Sequence, residues 1–158
     1  MLQTVLEKAP IIDLLSGSWT PIQQEEMNTS LPKSILIVED DPGIREILED
    51  ILREETIHQI FIAPDGRTAL NMLQTTAPAL FLLDYRLPDI NGIELIDRIR
   101  SFKEYEQTPV VLMSANLCWE NISGHNLTYL RKPFDLDRLL QVVEEALTIQ
   151  DEQAVGYK

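Results

Sequence analysis

The apolar run Ala79-Leu80-Phe81-Leu82-Leu83 ends abruptly on a carboxylate, Asp84, and a turn-rich loop with Pro88 and Asn91-Gly92 follows. Three other apolar runs also end on polar residues. Ile35-Leu36-Ile37-Val38 runs into Glu39-Asp40-Asp41, Pro109 to Met113 into Ser114, and Leu127 to Leu130 into Arg131-Lys132. If the runs ending at Val38 and at Leu83 are neighbouring strands, Glu39, Asp40 and Asp84 converge. Three carboxylates in one place repel one another and need a cation. A set of oxygen ligands with vacant positions suits Mg2+. The hydroxyl of Ser114 and the ammonium of Lys132 on the far side suit an anionic oxygen. Together these groups could run phosphoryl transfer, with one carboxylate available as the nucleophile.

The elements that must position these groups are readable from spacing. Asp41 is a good N-cap and Pro42 fits the first helical position. Ile44, Ile47, Leu48, Ile51 and Leu52 then recur at helical spacing. Gln59 to Ile62 is a second strand, and Asp65 caps a short helix carrying Ala69, Leu70 and Leu73. Ile93, Ile96, Ile99 and Phe102 mark a third helix; Leu136, Leu139, Leu140, Val143 and Leu147 mark a terminal one. Strands alternating with helices imply βαβ units and a parallel sheet covered on both faces, and continuous rather than alternating apolar strands agree. In such a sheet ligands sit beyond the carboxyl ends of the strands, at the topological switch point. Those are the ends where the acids, the hydroxyl and the lysine stand.

Composition excludes several classes of function. A net charge of -13 repels phosphate backbones, so direct nucleic-acid binding is not expected. No window approaches the roughly 18 apolar residues of a membrane span, and the N-terminus lacks the basic-then-apolar pattern of a signal peptide. The single cysteine, Cys118, has no internal partner and is read as an inert thiol in a reduced, cytoplasmic setting. Residues 1–33 read as an extension, partly disordered or forming one short helix around Leu2, Val5 and Leu6 before Pro10; residues 34–149 form the domain and 150–158 a tail.

The four segments "ILIVEDDPGIREIL", "LFLLDYRLPDINGIEL", "PVVLMSAN" and "YLRKPFD", in that order, resemble the response-regulator receiver domain of the CheY-like type. The resemblance covers about Ser34 to Ile149. It implies a flavodoxin-like, doubly wound α/β fold with five parallel strands in the order 2-1-3-4-5. It also implies roles. Asp84 accepts the phosphoryl group as an acyl phosphate. Asp40, Asp84 and the main-chain carbonyl of Arg86 bind Mg2+ directly, and Glu39 holds it through water. Lys132 pairs with a phosphoryl oxygen, Ser114 moves to hydrogen-bond the group, and Tyr129 follows as an aromatic switch. Lys132-Pro133 is the place for a cis peptide. The implied partners are a histidine kinase or phosphotransfer protein and an unidentified downstream protein, met by a monomer or weak dimer. The protein is then a switch that catalyses only its own phosphoryl transfer and dephosphorylation.

Taken singly, these residues have plainer readings. Glu39-Asp40-Asp41 alone is a capped helix start, Ser114 a strand-end hydroxyl, Lys132 a solvated cation and Tyr129 a packed or exposed aromatic. His58 and His125 have nothing at metal-ligand spacing beside them and are read as neither ligands nor phosphocarriers. Among other functions, a phosphatase of the haloacid-dehalogenase type carries a second acid two residues after the nucleophile, where this chain has Arg86. A flavodoxin-like phosphate-binding module would need a hydroxyl-rich loop where Glu39-Asp40-Asp41 stands. A receiver-fold adaptor that docks without phosphorylation is the remaining alternative. The chain also departs from the family. The interval from Ser114 to Lys132 is about one helical turn short, and His125-Asn126 replaces the usual Gly-Ala pair. The fourth helix is expected to be a single turn around residues 118–122, stopped by Gly124. Arg86 and Asn116 flank the expected path of a hydrolytic water.

Overall fold

An apolar strand buried on both faces needs a cover on each, and the helices supply it. The computed structural model describes residues 31–117 and 119–155. The chain divides into a unit Met1–Leu31 and a unit Pro32–Lys158, and every element named below belongs to the second. The short helix expected near Leu2, together with Cys118, lies outside the described residues. Five strands, β1 (Ser34–Val38), β2 (Gln59–Ala63), β3 (Leu80–Asp84), β4 (Val110–Ser114) and β5 (Thr128–Arg131), alternate with five helices. These are α1 (Pro42–Glu55), α2 (Gly66–Thr76), α3 (Gly92–Arg100), α4 (Trp119–Ile122) and α5 (Leu136–Val155). All strand pairs are parallel, in the order β2-β1-β3-β4-β5. The order reverses between β1 and β3, so the switch point falls at Glu39-Asp40 and Asp84.

Strand side chains alternate between faces, and the two core clusters follow that period. Ile35, Ile37, Leu80, Leu82, Val111, Met113 and Leu130 pack on one face with Leu48 and Leu52 of α1 and Leu139, Val143 and Leu147 of α5. Leu36, Val38, Phe81, Leu83, Val110 and Leu112 pack on the other with Leu73 of α2 and Leu95, Ile96 and Ile99 of α3. Both faces are therefore dry, which is why the strands read as unbroken apolar runs.

Each long helix starts on a side-chain cap just beyond a strand or loop. Asp41, Asp65, Asn91 and Asp135 accept from the backbone N–H groups of Ile44, Thr68, Glu94 and Arg138 at 2.9, 2.7, 2.9 and 2.8 Å. Strand boundaries differ from the sequence reading by one residue, and two helix ends differ by more. The third helix stops at Arg100, and Phe102 lies beyond it, exposed. The last helix runs on to Val155, into the segment read as a tail. The fourth helix is the single turn expected, Trp119–Ile122. Gly124 follows it with φ +90°, a left-handed backbone that ends the turn. Among the described residues no helix is long and apolar enough to cross a membrane.

The loop after β3 is closed by a bridge between Arg86 and Asn91 and by the Gly92 N–H donating to the Tyr85 carbonyl at 2.8 Å. That closeness leaves no room at Gly92. A Cβ there would stand 2.7 Å from Leu112 Cδ1 and 3.0 Å from the Asp84 carbonyl oxygen. Gly92→Ala should therefore destabilise the domain by about 1–3 kcal/mol, because overpacking outweighs the better helix propensity of alanine. Urea unfolding at constant m-value checks it; an unchanged midpoint would mean that the loop yields freely.

Candidate functional site

The period of the sheet decides which polar side chains meet. Asp84 continues the Leu80, Leu82 series and Glu39 the Ile35, Ile37 series, so both project toward the α1/α5 face. The Glu39 N–H extends the ladder to the Ala63 carbonyl, and the Lys132 N–H extends it to the Ser114 carbonyl. Lys132 thus follows Leu130 onto the same face. Ser114 follows Val110 and Leu112 toward the α2/α3 face, where Tyr129 also packs.

On the first face the structure brings together four of the residues singled out in the sequence. Carboxylate oxygens of Glu39, Asp40 and Asp84 lie within 4.8 Å of one another, the one such group of potential metal ligands among the described residues. Lys132 Nζ donates to Glu39 Oε2 at 3.0 Å and to Asp84 Oδ1 at 3.1 Å. The other oxygen of Glu39 accepts the Asp41 N–H at 3.1 Å. Glu39 is 1% exposed and Asp84 8%, whereas Asp40 opens to solvent. The Lys132-Pro133 bond is cis.

Burial pushes the Glu39 carboxyl above its usual range, and the hydrogen bonds from Lys132 and the Asp41 amide offset this only in part. Burial likewise pushes Asp84 up against the pull of the Lys132 charge. Burial works against the Lys132 ammonium, yet its hydrogen bond to Glu39 and the charge of Asp84 outweigh it and hold the group above its usual range. Three carboxylates against one ammonium leave a formal surplus of two negative charges.

The donor set fits a hard divalent cation. It holds oxygens only, Asp40 reaches water, and Asp84 meets Lys132 through Oδ1 alone. Glu39, with both oxygens engaged inside the protein, suits a hold through water better than direct ligation. Arg86 stands two residues past Asp84, exposed, with its backbone fixed by the bridge to Asn91.

Ser114 and Tyr129 form a second group. Ser114 is buried, its Oγ accepts from the Asn116 N–H at 3.3 Å, and its carbonyl accepts both the Tyr129 hydroxyl at 2.8 Å and the Lys132 N–H at 3.0 Å. That carbonyl joins the two groups. The histidines stand apart from the acidic cluster. His58 accepts the Lys33 N–H at 3.2 Å, and His125 Nε2 lies 3.1 Å from Asp97 Oδ1.

One residue was missed in the sequence. Arg45 Nη1 on α1 donates to the carbonyls of Glu39 at 3.0 Å and Asp40 at 3.4 Å. Its spacing from the Asp41 cap, one helical turn, was the available signal.

A family model described as "Response regulator receiver domain" matches residues 35–144. Response regulator Rre1 of Synechocystis sp. is 30% identical over 123 residues, which are 75% of this chain and 53% of that protein. The chain thus spans about half the length of that relative. Sporulation initiation phosphotransferase F of Bacillus subtilis is 33% identical over 122 residues, 75% of this chain and 96% of that one. Among solved structures, a CheY-like response regulator receiver domain protein from Methanospirillum hungatei matches with a TM-score of 0.71 at 26% identity, over 78% of this chain and 99% of that one. The family match begins in the first strand, ends in the last helix and takes in both polar groups at the switch point, so the chain belongs to the response regulator receiver domain family.

Proposed function

We propose that the protein is a phosphorylatable switch of a two-component phosphorelay, with Asp84 as the phosphoacceptor. The observation that carries this reading is the placement of Asp84, at the end of a buried strand, between the Lys132 ammonium and two further carboxylates. An Asp84 oxygen attacks the phosphorus of a phosphohistidine on the partner. The P–N bond breaks as the P–O bond forms, and the imidazole nitrogen keeps the electron pair. Hydrolysis of the acyl phosphate by water returns the carboxylate and inorganic phosphate.

Asp40, Asp84 and the Arg86 carbonyl would hold Mg2+, with Glu39 acting through water, and the ion would supply charge neutralisation for this transfer. Lys132 exchanges Asp84 Oδ1 for a phosphoryl oxygen. Ser114 donates its hydroxyl to another, and Tyr129 follows because it is bound to the Ser114 carbonyl. The donor is a histidine kinase or a phosphotransfer protein; the name of the Bacillus relative is consistent with a place in a relay. Output passes through protein contacts, by a monomer or weak dimer in the cytoplasm, and the protein turns over no other substrate.

Acetyl phosphate with Mg2+ should add a single phosphoryl group to the protein by intact mass, and Asp84→Asn should abolish the addition, since an amide is no substitute for the nucleophile. No addition to the wild type would favour an adaptor that docks unphosphorylated. Magnesium should shift backbone amide resonances around Asp40 and Asp84, and Asp40→Ala should weaken that binding by about tenfold or more, given how few protein ligands the site offers. Equal affinity in the two proteins would rule out this ligand set.

Stability without metal should depend on pH. The raised carboxyls of Glu39 and Asp84 favour the folded state most when protonated. Their contribution is full below the ordinary carboxylate range and is lost as pH rises through their elevated values. Asp84→Asn should then raise the melting temperature at neutral pH, each ~1 kcal/mol of relief adding roughly 2–4 °C. It should also flatten the pH dependence. A lower melting temperature would mean that the Lys132 pair outweighs the burial of Asp84.

A further inference from the structure

We propose that Arg45 is a positioning residue of the cation site, acting by pinning the Asp40–Asp41 peptide on which two of the site carboxylates depend. The inference rests on the magnesium reading above and adds to it a residue outside the ligand set.

The chain leaves β1 along the ladder as far as the Glu39 N–H, which still reaches Ala63, and bends at Asp40. Past the ladder, the carbonyls of Glu39 and Asp40 both turn to Arg45 Nη1. Among the described ion pairs none involves Arg45, so its charge is directed at main chain. The carbonyl of Asp40 and the N–H of Asp41 belong to one peptide plane. Arg45 holds the oxygen end of that plane, and Glu39 Oε1 accepts from its N–H end at 3.1 Å. A peptide plane is rigid, so rotating one end moves the other. Freed from Arg45, the plane can turn. Glu39 then loses an N–H donor, and the Cα that carries the Asp40 carboxylate shifts. The helix itself aims the guanidinium: the Arg45 N–H donates to the Asp41 carbonyl at 2.9 Å in the first turn of α1.

A guanidinium beside a cation site also repels the cation. Removing it would tighten metal binding if charge alone mattered, and would loosen binding if positioning dominates. The two effects differ in sign, so one titration separates them. Three proteins suffice: wild type, Arg45→Met, which keeps the apolar stem without charge or donor, and Arg45→Lys, which keeps the charge but loses the planar fork.

Mg2+ affinity is read from amide shifts, hydrogen exchange of the Asp41 amide is read without metal, and thermal unfolding serves as the control for folding. Arg45→Met should weaken Mg2+ binding by about tenfold, the lower end of the loss seen when a group supporting metal ligands is removed. Exchange at Asp41 should speed by a similar factor while exchange in β3 and β4 stays as it was. Arg45→Lys should recover part of both. Should Arg45→Met fail to fold, Arg45→Gln is read in the same way. Equal or tighter Mg2+ binding by the neutral variant, or an unchanged Asp41 amide, would overturn the proposal. If the wild type does not bind Mg2+, the magnesium reading fails and takes the cation-site role with it.

Discussion

Two carboxylates, Glu39 and Asp84, are buried at the end of a parallel sheet and share one ammonium. Burying like charges together is costly, and one lysine does not balance them with Asp40 alongside. Stability must come from elsewhere, and it comes from the two dry faces of the sheet. There, all five residues of β3 and all five of β4 are buried. The rigid sheet holds the acids in place, so they cannot relax apart to lower their repulsion. A cluster left short of positive charge in this way is suited to a divalent cation. That demand for a cation is the physical basis of the switch proposed above.

The alternation of side chains divides the labour between the two faces of the sheet. Glu39, Asp84 and Lys132 meet on the α1/α5 face, where the charge sits. Ser114 and Tyr129 belong to the α2/α3 face, against whose core the half-buried Leu127 and Leu117 also pack. The Ser114 carbonyl, accepting from Tyr129 and from the Lys132 main chain, is the one described atom bonded to both groups. The lysine backbone and the tyrosine hydroxyl thus meet on a single oxygen.

The fourth helix is reduced to one turn. A helix this short is not stable by itself and depends on its packing, which Ile122 supplies from a buried position. The connection that follows is tied to α3. His125 meets Asp97, and an Arg100 guanidinium N–H donates to the Asn126 carbonyl. His125 and Asn126 thus make contacts of their own with α3, and the segment ahead of β5 leans on that helix.

Local patterns told most of the fold. Helical periodicity, Asp41 and Asp65 as caps, Gly124 as a stop and apolar runs ending on acids act over three or four residues, so they are written in the order of residues. The same runs placed Glu39, Asp40, Asp84, Ser114 and Lys132 at strand ends, and the ends of parallel strands lie on one edge. Other features were not legible. The grip of Arg45 on two carbonyls, the second hydrogen bond of Glu39, the tie of Tyr129 to the Ser114 carbonyl and the pairing of His125 with Asp97 depend on angles and distances set by packing. The length of α5 escaped as well, because its apolar stripe fades before its hydrogen bonding does. The sequence by itself determined which chemical groups arrive at the edge of the sheet, since strand period and capping are local. Only the tertiary structure decided which of them share a hydrogen bond, since that depends on how separate elements of the chain are packed against one another.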